Sequence, residues 1–184
     1  MPRKLWPNLV VFCLLTALGI VGRLLPHPPN FTPIAATTLF AGFFFRSSML
    51  AAGVPLASMV ASDLVVGAYD LRLMAVVYTS LLVPLVFRSV LQRCLSPMRL
   101  IVCSLASSVI FFTATNAAVW GFGDWYPHTL AGMSSCMIAA LPFFRYTVCG
   151  DLMFSTAIFY SYVAAIRARS VAAQPFRGSF AATA

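Results

Sequence analysis

The chain has 184 residues, of which 61% are hydrophobic and only 9% are charged, and its formal net charge is +8. A soluble domain carries about 25% charged residues. This composition, with a mean hydropathy of +0.91, therefore excludes a water-soluble globule and predicts an all-α integral membrane bundle of about six transmembrane helices. The basic residues lie singly or in pairs at the edges of apolar runs, which excludes nucleic acid as a partner and indicates contact with membrane lipids.

The first apolar run covers 8–25 and follows Arg3 and Lys4. A basic start before an apolar stretch also describes a signal peptide, but this run is longer than a signal core, which favours an uncleaved span. The next segment, 26–33, has four prolines in eight residues. Because proline fixes φ and removes a donor, this segment is predicted to be a stiff, extended loop.

The second span is predicted over 33–45, with Thr32 as N-cap and Pro33 at the first helical position. Such a helix would rise only about 20 Å, against a hydrocarbon core of about 30 Å. It therefore either continues through 46–48 or is a short helix shielded by its neighbours.

Further apolar runs predict spans over 49–69, 73–91, 100–120 and 147–166. Between the last two, the moderately apolar segment 129–141 ends at Pro142. Since proline breaks helices, this segment is predicted to be a short interfacial or re-entrant helix. The resulting organisation is a single transmembrane domain over 1–167 and a disordered cytoplasmic tail over 168–184.

The basic residues predict the orientation. With the N-terminus inside and six crossings, nine fall on one side, and the other side receives Arg23, Arg72 and Arg145. By the positive-inside rule this predicts a multi-pass protein of an inner membrane with both termini in the cytoplasm. The four acidic residues then lie toward the outer face.

Metal and cofactor sites are not predicted. The five cysteines are scattered along the chain, and no CxxC pair or Cys/His ligand spacing is present. We expect them to pack as small hydrophobic residues.

Ionisable groups inside a bilayer cost at least about 2.5 kcal/mol each, so they are expected to pair or to line a cavity. In the predicted topology, polar and aromatic residues gather at the outer ends of the spans. Phe112, Asn116 and Trp120 are four apart and share one helix face, which suits a small amphipathic ligand. Arg145 is expected to pair with Asp151 or Asp63, leaving the other carboxylate for a ligand. The predicted substrate-binding residues are His27, Asn30, Asp63, Phe112, Asn116, Trp120, Arg145 and Asp151.

Structural interpretations of the same residues stay open. Arg145 and Asp151 also suit an ion pair at a helix start, Asn116 an interhelical hydrogen bond, and Trp120 an interfacial aromatic belt. No nucleophile motif accompanies the histidines, so an enzyme is not predicted. The alternatives are a non-catalytic scaffold or assembly protein, and a membrane enzyme that would use Asp63 or a histidine as acid and base.

Several strings of residues stand out together: HPPNFTP at 27–33, Ser62-Asp63-Leu64, Thr115-Asn116, YPHTLAG at 126–132, and PFFR at 142–145 followed by Gly150-Asp151-Leu152. They resemble a family of bacterial membrane proteins of unknown function. That family is similar in size and helix plan to the substrate-binding S components of energy-coupling factor vitamin transporters.

The resemblance implies a six-helix bundle whose outer loops enclose a small-molecule pocket, with the loop after the first helix as its lid. It also implies a transmembrane coupling subunit with ATPases as a partner, docked through small residues four apart on the first helix, where this chain offers Cys13 and Ala17. The function expected is a binding and uptake component for a small, vitamin-like or cationic solute in a bacterial inner membrane.

Overall fold

The computed structural model of the chain describes residues 5–67 and 69–172, and within these ranges it contains helices and loops but no strand. This confirms the predicted all-α class. The elements are α1 (Leu5–Leu24), α2 (Ile34–Phe44), α3 (Ser48–Val66), α4 (Leu71–Ser80), a 3₁₀ segment (Val83–Phe87), α5 (Arg88–Arg93), α6 (Pro97–Phe122) and α7 (Leu130–Ala172).

The outer surface of the bundle is apolar. Five helical segments in the described part of the chain are long and apolar enough to cross a membrane, namely α1, α3, the segment Leu71–Arg93, α6 and α7. Large apolar side chains such as Leu9, Leu14 and Leu64 point away from the bundle and are each more than half exposed. Because such a surface is stable only against lipid, the chain is a multi-pass membrane protein.

Helix α2 is the short helix that the sequence left ambiguous, and it lies at the centre of the bundle. It has 11 residues and ends at Phe44, so it does not continue through 46–48. Its side chains are mostly buried by the surrounding helices; for example, the Phe40 ring packs 5.1 Å from that of Phe159 and 5.3 Å from that of Tyr162. The predicted Thr32 cap is wrong, because Pro33 precedes the first turn and no side chain caps it.

The C-terminal end of α2 would leave unpaired carbonyl groups inside the membrane, where each is costly. The α5 helix supplies the missing donors. Gln92 Nε2 donates to the carbonyl oxygens of Gly42 and Phe43 at 3.1 and 3.0 Å, and Arg88 Nη2 donates to that of Arg46 at 2.9 Å. These bonds explain how a helix too short to span is held in the bundle.

The fourth predicted span, 73–91, is interrupted. Helix α4 ends at Ser80, and Pro84 lies at the start of the 3₁₀ segment that follows. Proline has no N–H to donate to the carbonyl four residues back, and its ring clashes there, which accounts for the break. The segment Leu71–Arg93 as a whole is still long and apolar enough to cross a membrane.

The prediction of a separate short helix over 129–141 is wrong, because α7 runs without interruption through Pro142. Proline is tolerated in membrane helices when neighbouring helices hold both halves in place. Here α6 contacts both sides of Pro142: Cys136 Sγ lies 3.5 Å from the Asn116 carbonyl oxygen, and the Phe144 ring lies 4.6 Å from that of Phe112.

Helix α7 has 43 residues and is about 64 Å long, roughly twice the thickness of a hydrocarbon core. It therefore extends beyond the membrane. Its described part reaches Ala172, five residues past the predicted domain boundary at 167. The rest of the predicted tail, 173–184, lies outside the described residues.

Candidate functional site

A cavity of about 460 Å³ lies at the end of the bundle where α1 and α3 end and α4 begins. In the predicted topology this is the outer face. All the helices except α5 contribute to its wall, and most of the lining side chains are apolar. They are Arg23, His27, Asn30, Thr32, Ile34, Ala35, Met59, Val66, Tyr69, Leu73, Val77, Leu81, Phe111, Thr115, Val119, Thr147 and Asp151.

The HPPNFTP loop folds over this cavity through a tight turn. The Phe31 amide donates to the Pro28 carbonyl oxygen at 3.1 Å, and Asn30 has a positive φ of 62°. Proline at the second position and a positive φ at the third are the pattern of a type II turn, and asparagine accepts this φ more readily than most residues do. The turn places His27 and Asn30 in the cavity lining, as predicted.

The loop is seated on α7. The Phe31 ring packs 5.5 Å from that of Phe154, and it leaves little room at Gly150, where a Cβ atom would lie 3.2 Å from Phe31 Cδ2. Gly150 directly precedes Asp151. The loop therefore packs against the turn of α7 that carries Asp151.

An ion pair joins the end of α1 to α3 beside the cavity. Arg23 Nη1 lies 2.5 Å from Asp63 Oδ1 and donates to Ser62 Oγ at 2.7 Å. Tyr78 donates its hydroxyl to Asp63 Oδ2, also at 2.7 Å. Asp63 is therefore neutralised and does not itself line the cavity; the basic partner is Arg23, not the predicted Arg145.

The predicted pairing of Arg145 with either carboxylate is wrong. Arg145 is exposed, donates to the Tyr146 hydroxyl at 2.8 Å and lies 4.6 Å above that ring. At 3.6 residues per turn, position 145 is about 200° around α7 from Thr147, which lines the cavity. A side chain on that far face cannot reach the site.

The structure does not place the predicted face of α6 in the cavity. Phe112 packs against the Phe144 ring, Asn116 donates to the Phe112 carbonyl oxygen at 2.8 Å, and Trp120 Nε1 donates to that of Pro127 at 3.0 Å. None of the three lines the cavity. The residues of α6 that line the cavity are also four apart, but each lies one position before the predicted residue. The predicted residues instead pack on α7 and on the loop before it. The face in the cavity is Phe111, Thr115 and Val119.

Asp151 is the carboxylate that faces the cavity without a cation. The residue is only 4% exposed, and its Oδ2 accepts the Ser108 hydroxyl at 2.6 Å. Neither ion pair found among the described residues includes it. Thr147, one turn earlier on the same face of α7, lines the cavity beside it.

Two groups at the mouth of the cavity have shifted pKa values. Burial raises the pKa of Tyr69, and the negative charge of Asp63 raises it further, so this phenol is neutral at pH 7. The hydrogen bond from the Arg72 side chain lowers the pKa of Asp70, which is exposed and paired with that arginine. Tyr69 therefore adds no charge to the lining.

Sequence reasoning left Thr147 and Thr115 out of the predicted site, and it placed Arg23 at the outer face without pairing it with Asp63. A signal for Thr147 existed, since it lies four residues before Asp151 on the same helix face. The same spacing relates Leu73, Val77 and Leu81, which form the α4 wall. No sequence signal distinguished Arg23 from Arg145 as the partner of Asp63.

The fold and the cavity define a multi-pass helical membrane protein with a partly open cavity at one face. A model of DUF6580, a family of unknown function, matches residues 3–174, and the chain belongs to that family. No curated protein and no solved structure matches the chain. The predicted membership of a family of unknown function is therefore confirmed, whereas the likeness to S components has no counterpart among the matches.

Proposed function

We propose that this protein captures a small solute in the cavity at the predicted outer face and serves its uptake across a bacterial inner membrane. The observation that carries the proposal is the cavity itself, whose lining includes the HPPNFTP loop and Asp151, a buried acidic side chain without a cation. Enclosed, mostly apolar pockets with a few convergent polar groups are typical of small-molecule sites.

The histidines support a binding role over an enzyme. His27 has its ring nitrogens 2.8 and 3.2 Å from the backbone oxygens of Pro28 and Arg23, so both are already within hydrogen-bonding distance of the protein. His128 stacks edge-on to Trp120 and does not line the cavity. The scaffold alternative does not explain why an acidic side chain without a cation lies in a cavity, since such a group lowers stability.

Uptake also needs a partner or a gradient. We propose a membrane-embedded coupling subunit with ATPases as that partner, and both chain termini in the cytoplasm. The support is the predicted resemblance to S components and the nine-to-three division of basic residues. Co-purification of such subunits from native membranes tests this part separately.

The binding proposal is tested by screening a library of small metabolites for thermal stabilisation of the detergent-purified protein. A ligand at 100 times its Kd stabilises by about 2.7 kcal/mol. Val66 lines the cavity, and its neighbour Val65 does not, although both are more than half exposed on α3. We expect Val66→Trp to abolish the stabilisation by any hit and Val65→Trp to preserve it.

Two results would count against the proposal: no stabilising compound in the library, or hits that survive Val66→Trp unchanged. The first result would favour the scaffold alternative. The second would mean that the compounds bind elsewhere, for example on the lipid-facing surface.

A further inference from the structure

We propose that the solute is a small organic cation with N–H donors, a primary ammonium group on a compact apolar body, and that Asp151 binds the ammonium. This inference rests on the proposed function, because it names the class of solute for the same cavity. Three features of the cavity lining support it: the charges, the hydrogen bonds made by the hydroxyl groups, and the apolar side chains.

The charge of the lining favours a cation. Arg23 is neutralised by Asp63 at 2.5 Å, and the second oxygen of Asp63 accepts the Tyr78 hydroxyl. Asp151 is left as the acidic side chain without a cationic partner among the described lining residues. An unpaired carboxylate in a bilayer has an unfavourable free energy. A cationic ligand would lower that free energy by pairing with it, and an anion would be repelled.

The geometry at Asp151 leaves one oxygen for the ligand. Oδ2 accepts the Ser108 hydroxyl at 2.6 Å, whereas Oδ1 has no hydrogen-bond donor among the described residues. Asp151 lines the cavity, and the residue is only 4% exposed.

A neighbouring hydroxyl acts as an acceptor. Thr115 donates its own proton to the Phe111 carbonyl oxygen at 2.8 Å, whereas Thr147 Oγ1 lies 3.5 Å from that of Phe143, too far for a strong hydrogen bond. A hydroxyl whose proton is engaged in this way can still accept through its lone pairs. Both residues line the cavity. Asp151 Oδ1 and the Thr115 hydroxyl are acceptors that an ammonium with N–H bonds can use and a quaternary amine cannot.

The rest of the wall suits an apolar body. Met59 on α3, Leu81 directly after α4 and Phe111 on α6 line the cavity. Its volume of about 460 Å³ lies toward the small end of the range of about 300–1,000 Å³ for ligand pockets. A zwitterion would need a free cation for its carboxylate, and Arg23 is already paired. An arylalkylamine satisfies all of these conditions.

The test uses the detergent-purified full chain in an amine-free potassium phosphate buffer at pH 7. Four probes of similar shape are compared by thermal stabilisation and calorimetry: phenethylamine, 2-phenylethanol, 3-phenylpropionate and benzyltrimethylammonium. We expect phenethylamine to bind at least about tenfold more tightly than each of the others. Asp151→Asn, which keeps an acceptor for Ser108, should remove this preference. Asp124→Asn, at an exposed acid of the same face, should not.

Equal binding of phenethylamine to the wild type and Asp151→Asn would overturn the inference, as would tighter binding of the alcohol or the acid. Binding of benzyltrimethylammonium as tight as that of phenethylamine would overturn the requirement for N–H donors. Stabilisation by sodium chloride that depends on Asp151 and excludes phenethylamine would identify an inorganic cation site instead. In each case the proposed function stands if Val66→Trp abolishes the thermal stabilisation by a library compound. A failure of the ammonium inference is therefore distinguishable from a failure of the proposed function.

Discussion

Arg23→Leu is expected to destabilise the purified protein by about 3–5 kcal/mol, because Asp63 would remain charged inside the bundle with no cation beside it. The measurement is the midpoint of thermal or denaturant-induced unfolding in detergent. Arg72→Leu is the matched control: it removes an arginine from the exposed pair with Asp70 at the same end of the bundle, and it should have a much smaller effect.

The double variant Arg23→Leu with Asp63→Leu separates the cost of an unmatched charge from lost packing. Replacing both members of a buried pair by apolar residues is often neutral, so the double variant should be more stable than Arg23→Leu alone. If the double variant is less stable than the single one, the pair contributes through its hydrogen bonds to Ser62 and Tyr78 more than through charge balance.

Gly22→Ala is expected to lower stability by about 1–3 kcal/mol, the usual cost of an overpacked contact. A Cβ atom on Gly22 would overlap the Cδ atom of Pro33 and lie 2.5 Å from its Cγ atom. The proline ring is rigid and begins the buried helix α2, so neither side can move cheaply. The change should also displace the HPPNFTP loop that ends at Pro33. Thermal unfolding measures the first effect, and protease sensitivity of the loop measures the second.

Gly121 provides the control for this substitution. It is also a helical glycine, near the end of α6, but a Cβ atom there would have no neighbour within 4 Å. Since alanine is favoured over glycine in helices by about 1 kcal/mol, Gly121→Ala should be neutral or slightly stabilising. Equal unfolding midpoints for the two variants would contradict the close approach of α1 to the loop.

The membrane class and most helix positions could be predicted because they depend on composition and on runs of apolar residues. The prolines were harder to interpret. Pro84 interrupts its span and Pro142 does not, although both lie within apolar segments. The difference depends on what the neighbouring helices supply. The α6 helix supports α7 on both sides of Pro142, and that contact cannot be read from the local sequence.

The candidate site was predicted in part, for a related reason. The structure places His27, Asn30 and Asp151 in the cavity lining, and the sequence pointed to them through the loop position and the cost of a buried carboxylate. The spacing of four on α6 was also correct. The rotation of α6 about its axis, which decides whether Thr115 or Asn116 faces the cavity, depends on how α7 packs against it.

The most direct test of the proposed site is whether a small charged reagent added from outside the cell reaches the cavity. Thr115 lines the cavity, and Thr113, two residues away on α6, is exposed on the bundle surface that faces lipid. Single cysteines at these two positions are made in a chain whose five native cysteines are replaced, and intact cells are treated with methanethiosulfonate ethyltrimethylammonium, whose permanent charge keeps it outside. We predict rapid labelling of Thr115→Cys and little labelling of Thr113→Cys, since a thiol in lipid does not ionise. Labelling of Thr115→Cys no faster than Thr113→Cys, or only after the cytoplasmic side is exposed, would contradict an outward-facing solute site.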